Sequence, residues 1–244
     1  TLAYFLAKRH IGLAYIANII IPIVYAGLIM GLILAQPDMG SAMIVGGILI
    51  GYFFVSGLPW RHVLLGLVFG TIGAILLWNF ALATYQKERI LGLFFPERDP
   101  LGINYNVIQS KIAIGSGGWL GKGFRQGTQV QLGFLPEAHN DFVLATIVEE
   151  WGLVGGLVVI GAFLFLVLRI GVIGLGLEHN FSRLFALGTM IMLLSQFALN
   201  VGSTVGLFPV VGISLPFISY GGSNLLVNFI ALGMIQSIAA REMF

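Results

Sequence analysis

The segment GFLPEAHNDFVLATIVEEW, from Gly133 to Trp151, joins a polar part of the chain to an apolar part. Glu137, His139 and Asp141 lie in its first half, and the Glu149–Glu150 pair closes its second half. Acidic residues are scarce elsewhere, and apolar residues take over after the pair. The segment therefore marks a point where a water-exposed stretch meets a hydrophobic one, so that a polar headgroup and a lipid tail are both within reach.

The composition around this segment is that of a membrane protein. Hydrophobic residues make up 58% of the chain and charged residues 9%, whereas soluble domains carry about 25% charged residues. A membrane helix needs about 20 apolar residues, and long charge-free runs supply them at Ile11–Pro37, Met39–Trp60, Val63–Gln86 and Leu184–Ala240. We therefore predict an all-α, polytopic helical membrane protein.

Net charge and cysteine content exclude several other functions. The formal net charge of +2 is too small to indicate nucleic-acid binding. The chain has no cysteine, which excludes disulfides, thiolate metal sites and a cysteine nucleophile.

The apolar runs predict the order of the membrane spans. Thr1–Ala7 is interpreted as the end of a helix that begins earlier, so residues 1–244 are treated as a single integral membrane domain that is a fragment. Residues 86–140 are predicted to form one large polar loop containing a short interfacial helix at Tyr105–Gly115, and residues 169–183 a smaller loop. The complete spans are predicted at Ile11–Gln36, Ser41–Leu58, Val63–Tyr85, Phe142–Leu168, Leu184–Val201 and Leu225–Ala240.

Lys and Arg residues are distributed unevenly between the two sets of short loops. The turn around Asp38 and the segment 202–224 contain none, whereas the alternate loops contain Lys8, Arg9, Arg61, Arg169, Arg183 and Arg241. Basic short loops face the cytoplasm. We therefore predict that Asp38 and residues 86–140 and 202–224 lie on the extracytoplasmic side.

Asp141 stands at the predicted start of a membrane helix and has two interpretations. As an N-cap, its carboxylate accepts backbone N–H bonds. As a general base, it takes a proton from a substrate hydroxyl. Burial raises the pKa of a carboxyl group while a helix N-terminus and nearby cations lower it, so the sequence leaves the direction open. His139 is a weak candidate for sharing a metal with Asp141, and a hydrogen-bonding role is favoured for it.

Polar residues inside the predicted spans have structural interpretations. Glu149 and Glu150 lie about two turns beyond Asp141 if the helix is regular. Charges at that depth face a cavity or a partner, and a salt bridge to another span is the favoured interpretation. Asn200 and Gln196 are predicted to form interhelical hydrogen bonds.

A glycine-rich stretch at residues 115–127 is predicted to form a flexible cationic loop. Lys111, Lys122 and Arg125 lie in or beside it. They are solvated loop charges, contacts for anionic lipid, or a convergent site for a diphosphate. The stretch lacks the Gly-Lys-Ser/Thr ending of a P-loop, which argues against nucleotide binding.

Several longer motifs resemble the SEDS proteins of bacterial shape, elongation, division and sporulation. Gly121-Lys122-Gly123 and Phe208–Gly212 are similar to the rod-elongation branch of that family. The resemblance covers essentially the whole chain. The motifs that carry it are Gln36–Gly40, Tyr85-Gln86 with Arg89, Gln109–Gly118, Gly121–Gly123, Gly127–Gln129, Phe134–Phe142 and Leu215–Ser223.

The resemblance implies a ten-span fold that polymerises peptidoglycan from lipid II in the bacterial cytoplasmic membrane, together with a class B penicillin-binding protein. Asp141 matches the essential aspartate of the family. A divalent cation, Mg²⁺ or Mn²⁺, is a further expectation. The family's Trp in an outer loop and its Gln-Pro-Ser-Glu segment are absent from this sequence, which implies that three spans precede Thr1. The candidate substrate contacts are Lys111, Lys122, Arg125, Glu137, His139, Asp38, Ser219, Gly221, Gly222 and Ser223.

Two other functions are compatible with a membrane fold. A lipid II flippase would carry ionisable residues or broken helices near the midplane, and the midspan candidates here are Glu149 and Glu150. If the protein were a scaffold that only recruits a synthase, the acidic and basic residues outside the spans would have no function. The concentration of charge outside the spans favours an enzyme. The resemblance implies that this enzyme is an inverting glycosyltransferase, with Asp141 as its base.

Overall fold

The computed structural model describes residues 2–9, 16–55, 57, 59–95, 102 and 104–242. Every regular element in these residues is helical, so the all-α prediction is confirmed. The helices are α1 (Leu2–Arg9), α2 (Ile16–Ala35), α3 (Met39–Val55), α4 (Trp60–Leu76), α5 (Thr84–Phe94), α6 (Tyr105–Gly117), α7 (Thr128–Gln131), α8 (Val143–Gly176), α9 (Asn180–Val205) and α10 (Gly222–Glu242), with a π-helical turn (Leu77–Ala81) that extends α4.

The predicted membrane spans correspond to the apolar helices. α2 and α3 contain shorter apolar stretches, Ile19–Ala35 and Met39–Val55. The predicted beginning of the first span, residues 11–15, lies outside the described residues. The stretches long and apolar enough to cross a membrane are Trp60–Phe80, Val143–Gly176, Asn180–Val205 and Gly222–Glu242.

The predicted loop at residues 169–183 was wrong over most of its length. α8 is 34 residues long and continues to Gly176, so Arg169 lies within a helix. An arginine near a membrane surface is tolerated in a helix because its long side chain carries the charge toward water. The connection to α9 shrinks to residues 177–179.

The large loop at residues 86–140 contains more regular structure than the sequence indicated. α5 was not predicted, and Gln86 closes its first turn by accepting a hydrogen bond from the Ala83 N–H through Oε1 at 3.0 Å. The short helix predicted at Tyr105–Gly115 is confirmed as α6, and one of its faces packs into the protein. Ser110 and Ala113 on α6 are fully buried, and the Ser110 hydroxyl donates to the Thr204 carbonyl at 2.6 Å.

The apolar core lies between the long helices. Phe163 and Val167 of α8 pack with Leu193 of α9 and Ile235 of α10, and Phe163 stacks on Phe197 with ring centroids 4.2 Å apart. These contacts hold the last three helices together as the frame on which the loops at their ends are mounted.

α8 is broken where the glycine-rich loop reaches it. Gly152 has φ 72° inside the helix, a left-handed conformation that favours glycine. The freed backbone groups bond to the loop: the Leu153 N–H donates to the Gly118 carbonyl at 2.9 Å, and the Lys122 N–H donates to the Glu149 carbonyl at 3.0 Å. The prediction that this loop is flexible was therefore wrong, because its backbone substitutes for the missing turn of α8.

Candidate functional site

Asp141 lies in the turn before α8 and does not cap it. The helix begins at Val143 with Phe142 in the cap position, and no side chain hydrogen-bonds the cap. The capping interpretation of Asp141 was therefore wrong. Glu137, with φ 53°, turns the chain so that its carbonyl accepts the N–H groups of Asn140 at 3.0 Å and Asp141 at 3.1 Å. This bonding leaves the Asp141 carboxylate available for another role.

Successive backbone carbonyls around Asp141 are fixed by residues from distant parts of the chain. The His139 carbonyl accepts the Tyr220 N–H at 3.0 Å, and the Asn140 carbonyl accepts the Ser219 hydroxyl. The Asp141 carbonyl accepts the side-chain amide of Asn200 at 2.9 Å. Because three neighbouring carbonyls accept hydrogen bonds from residues that are distant in the chain, the position of Asp141 is determined by tertiary contacts.

Asn200 also connects the Asp141 turn to the segment between α9 and α10. Its side-chain nitrogen donates to the Ile213 carbonyl at 2.8 Å, and Asn200 is only 1% exposed. A Cβ built on the neighbouring Gly212 would lie 3.9 Å from Asp141 Oδ2. The carboxylate therefore faces residues 210–213.

The surroundings of Asp141 raise the pKa of its carboxyl group. The largest cause is burial, since Asp141 is half-buried, and the negative charge of Glu137 acts in the same direction. The positive charge of Arg89 acts against them. No hydrogen bond reaches the carboxylate from the described part of the chain. An ionised carboxylate in such a place is a stronger base than an ordinary aspartate.

Arg89 links Asp141 to a cavity of about 180 Å³ between α5 and α6. Its guanidinium donates to the Val210 carbonyl at 3.0 Å, and Lys111 lines the cavity from α6. The Lys111 Nζ passes over Gly206, where a built Cβ would lie 2.6 Å from it. Two cationic side chains thus line one cavity, and one of them, Arg89, acts electrostatically on the Asp141 carboxylate.

The predicted convergence of Lys111, Lys122 and Arg125 was wrong in its geometry. Only Lys111 lines the cavity. The Lys122 Nζ is 2.8 Å from Glu149 Oε1, and Arg125 is exposed with its guanidinium 5.6 Å from the Phe124 ring centroid. Glu149 forms its ion pair with this loop, so the predicted salt bridge to another span was also wrong.

The other candidate substrate contacts take mainly supporting positions. Asp38 accepts the Ser41 N–H at 3.0 Å and the Ser41 hydroxyl at 2.6 Å, so it ties down the first turn of α3. The Ser219 hydroxyl accepts the Leu215 N–H at 2.8 Å while donating to Asn140. Gly221 lies beside Ser214, and Gly222 and Ser223 are exposed at the start of α10. Their contact with a substrate stays a prediction.

Asp38, Asp141 and the segment 206–221 gather at one end of the helices. A Cβ on Gly40 would lie 2.8 Å from the Val211 carbonyl, which joins the Asp38 turn to the loop facing Asp141. At the other end of α10, Glu242 accepts the N–H groups of Glu178 at 3.0 Å and His179 at 3.2 Å.

Sequence reasoning did not assign Arg89 or Asn200 to the site. Arg89 was visible only as part of a family motif with Tyr85-Gln86, because one exposed arginine in a polar loop carries no signal of its own. Asn200 was predicted to pair helices, but it holds two loop carbonyls. The same prediction was correct for Gln196, whose Oε1 accepts Asn228 of α10 at 3.4 Å.

The fold and this site define a class of protein, a multi-pass helical membrane protein with a half-buried carboxylate and a cation-lined cavity in the loops at one end of its helices. Within this class, the chain belongs to the FtsW/RodA/SpoVE family of cell cycle proteins, whose model matches residues 1–243. The resemblance indicated by the motifs is thereby confirmed.

The relatives of this chain include named peptidoglycan enzymes. It is 44% identical over 209 residues to the peptidoglycan glycosyltransferase MrdB of Escherichia coli K12, covering 85% of this chain and 56% of the relative. It is 37% identical over 241 residues to the probable peptidoglycan glycosyltransferase FtsW of Trichlorobacter lovleyi, covering 98% of this chain and 62% of the relative. The chain thus spans little more than half the length of the curated relatives it matches.

Solved structures share the fold. A chain of a peptidoglycan synthase complex, described as coordinating polymerization and crosslinking, superposes with a TM-score of 0.80 at 36% identity, over 99% of this chain and 66% of that chain. The rod shape determining protein RodA of Thermus thermophilus superposes with a TM-score of 0.65 at 29% identity, over 99% of this chain and 63% of that chain.

Proposed function

We propose that the protein containing this chain is a peptidoglycan glycosyltransferase that polymerises lipid II for cell-wall elongation. The observation that carries the proposal is the half-buried Asp141 carboxylate, whose pKa is raised and whose backbone is held on three sides. A general base works best when its pKa lies close to the working pH and its position is fixed. The names of the relatives supply the reaction class.

In the proposed reaction, Asp141 takes the proton from the 4-hydroxyl of the acceptor sugar. The hydroxyl oxygen attacks the anomeric carbon of the donor, and the bond from that carbon to the lipid diphosphate breaks. The proton ends on Asp141 and the electron pair on the departing diphosphate. Direct displacement of an α-linked donor gives a β-linked product, so the reaction inverts the configuration.

Arg89 and Lys111 are proposed to hold the diphosphate in the cavity beside Asp141. Cations aimed at the leaving group stabilise the charge that develops on it as the bond breaks. Arg89 also opposes the rise in the pKa of Asp141. A bound diphosphate would engage the guanidinium, weaken this opposition and make Asp141 a stronger base when the donor is present.

A divalent cation at the acidic side of this site is part of the proposal. Asp141 and Glu137 are close enough for their charges to repel, and Mg²⁺ is commonly bound by one or two carboxylates together with phosphate oxygens. The described residues contain no group of three or more metal-ligating side chains, so the substrate would complete the set of ligands. Bound there, the cation would offset negative charge on the diphosphate.

The proposed setting is the bacterial cytoplasmic membrane, with Asp141 on the extracytoplasmic side and a class B penicillin-binding protein as partner. The basic short loops favour this orientation, and a structurally similar chain belongs to a peptidoglycan synthase complex. The absence of cysteine permits a direct test. We expect a membrane-impermeant thiol reagent to label Gln126→Cys but not Arg61→Cys in intact cells, and the reverse pattern would overturn the orientation.

A lipid II flippase is the competing function, because α8 is broken at Gly152 within a predicted span. The backbone groups freed by this break are bonded to residues 118–123, which leaves fewer of them for a transported headgroup. The test uses the full-length protein with its partner and labelled lipid II. Glycan formation in detergent supports the polymerase, whereas transport across a vesicle without glycan formation supports the flippase.

Arg89→Ala is expected to lower kcat on the order of a hundredfold, as for the loss of one charge-stabilising group in an active site. The reason is that Arg89 both lines the cavity and acts on Asp141. Arg61→Ala removes an equal charge at the start of α4, in a loop predicted to face the cytoplasm, and serves as the matched control. Equal kcat for the two variants would exclude Arg89 from the site.

A further inference from the structure

A buried ion pair in the described residues lies outside the site. Glu149 is 0% exposed, and its Oε1 accepts hydrogen bonds from Lys122 Nζ at 2.8 Å, the Gln129 N–H at 2.9 Å and the Thr128 hydroxyl at 3.3 Å. Lys122 also donates to Thr128 at 2.8 Å. This lysine was a candidate for the diphosphate site, yet the structure directs its charge into the protein.

A buried carboxylate needs its partner. Taking a charge out of water is costly, and removal of one member of a buried pair leaves the other uncompensated. Glu149 Oε2 has no hydrogen-bond partner in the part of the chain that the structure describes, so Lys122 is the cation on which this carboxylate relies. The side chain of Lys122 is itself only 27% exposed.

The ion pair lies at a junction of three segments. The Lys122 and Gly123 N–H groups donate to the carbonyls of Glu149 and Glu150, both at 3.0 Å. A Cβ on Gly127 would lie 2.7 Å from Glu149 Oε2, so the loop is closely packed against the carboxylate. The side-chain pair and the backbone bonds together fasten residues 118–129 to the end of the first half of α8.

This half of α8 connects the ion pair to Asp141. It runs from Val143 to the break at Gly152, so Asp141 stands just before its beginning and Glu149 lies near its end. A short helix moves as a rigid piece. A change in how its far end is fastened is therefore transmitted to the turn that carries the carboxylate.

We propose that Lys122 and Glu149 are positioning residues for Asp141, and that Lys122 does not contact the donor substrate. This inference rests on the proposed glycosyltransferase function. It reassigns one of the three basic residues of the glycine-rich region from substrate binding to internal support. It predicts that the lysine is dispensable once the glutamate charge is removed as well.

The test is a second-site rescue in the full-length protein with its partner, using Lys122→Met, Glu149→Gln and the double variant. Melting temperature, KM for lipid II and kcat per folded molecule are measured for each. We expect Lys122→Met to melt lower and to lose at least tenfold in kcat with an unchanged KM. The double variant should regain most of both losses, because neither charge is then left unpaired.

A substrate contact would respond differently. If the double variant melted like the parent but polymerised as poorly as Lys122→Met, or showed a raised KM, Lys122 would touch the donor and the inference would fall. A purely structural pair would lower only the folded fraction and leave kcat per folded molecule unchanged, which would also overturn it. If the parent itself made no glycan, the proposed function would fail, while the melting data would still report on the ion pair.

Discussion

Asp141→Asn is expected to remove almost all polymerisation while leaving the fold intact. Loss of a general base typically lowers the rate about a hundredfold to ten-thousandfold. Asn has nearly the size of Asp, and the backbone bonds that hold this turn use the carbonyls of residues 139–141. The measurement is glycan synthesis from labelled lipid II by the full-length variant in complex with its partner.

The same substitution should not destabilise the protein. The pKa of Asp141 is raised in the folded state, so folding favours the neutral form of this carboxyl group. The stability that the protonated carboxyl group contributes is fully present below the unfolded pKa, about 3.9. This contribution is lost as the pH rises through the higher pKa of the folded state. At neutral pH the ionised group therefore opposes folding, and Asp141→Asn should melt at the same temperature as the parent or above it.

The pH dependence of kcat provides a check on this assignment. A base must be ionised, so the activity of the parent should fall as the pH decreases through the raised pKa of Asp141. The fall should begin at a higher pH than for an aspartate of ordinary pKa, about 3.9. A variant that polymerised within a few-fold of the parent would show that Asp141 is not the base. Glu137, the nearest other carboxylate acting on it, would then be the next candidate.

Gly152→Ala is expected to prevent normal folding. Gly152 has φ 72°, where a residue with a Cβ is strained. The added Cβ would also collide with the Trp119 carbonyl and the Gly121 N–H. Both are backbone atoms of the loop that completes α8, so neither can turn aside as a side chain would. We expect a loss of about 4 kcal/mol or more, the range of the most severe single substitutions.

The matched control for this prediction is Gly161→Ala, also in α8. A Cβ at Gly161 has no atom within 4 Å, and alanine favours a helix over glycine by up to about 1 kcal/mol. Gly161→Ala should therefore accumulate in the membrane and melt like the parent, whereas Gly152→Ala should be degraded or melt far lower. Similar melting of the two variants would contradict the role assigned to the break in α8.

The membrane character and the number of apolar helices could be predicted from the sequence alone. A run of about 20 apolar residues can satisfy its backbone in a bilayer only as a helix, so each such run carries its own structural information. The same local reasoning identified α6, and it identified Asp141 because an acid beside a membrane helix is conspicuous. It failed at residues 169–176, where one arginine in an apolar stretch did not end the helix.

The arrangement of the site was decided by tertiary structure. Asp141 is held by Ser219, Tyr220 and Asn200, which lie 59 or more positions away in the chain. Lys122 is turned away from the cavity by Glu149, while Arg89 is brought to it by α5. Charge and hydropathy along a chain show which residues are polar, but the partner of a charge depends on which segments meet in space. For Lys122 that partner is a buried carboxylate 27 positions further along the chain, and the need to compensate it determines where the lysine points.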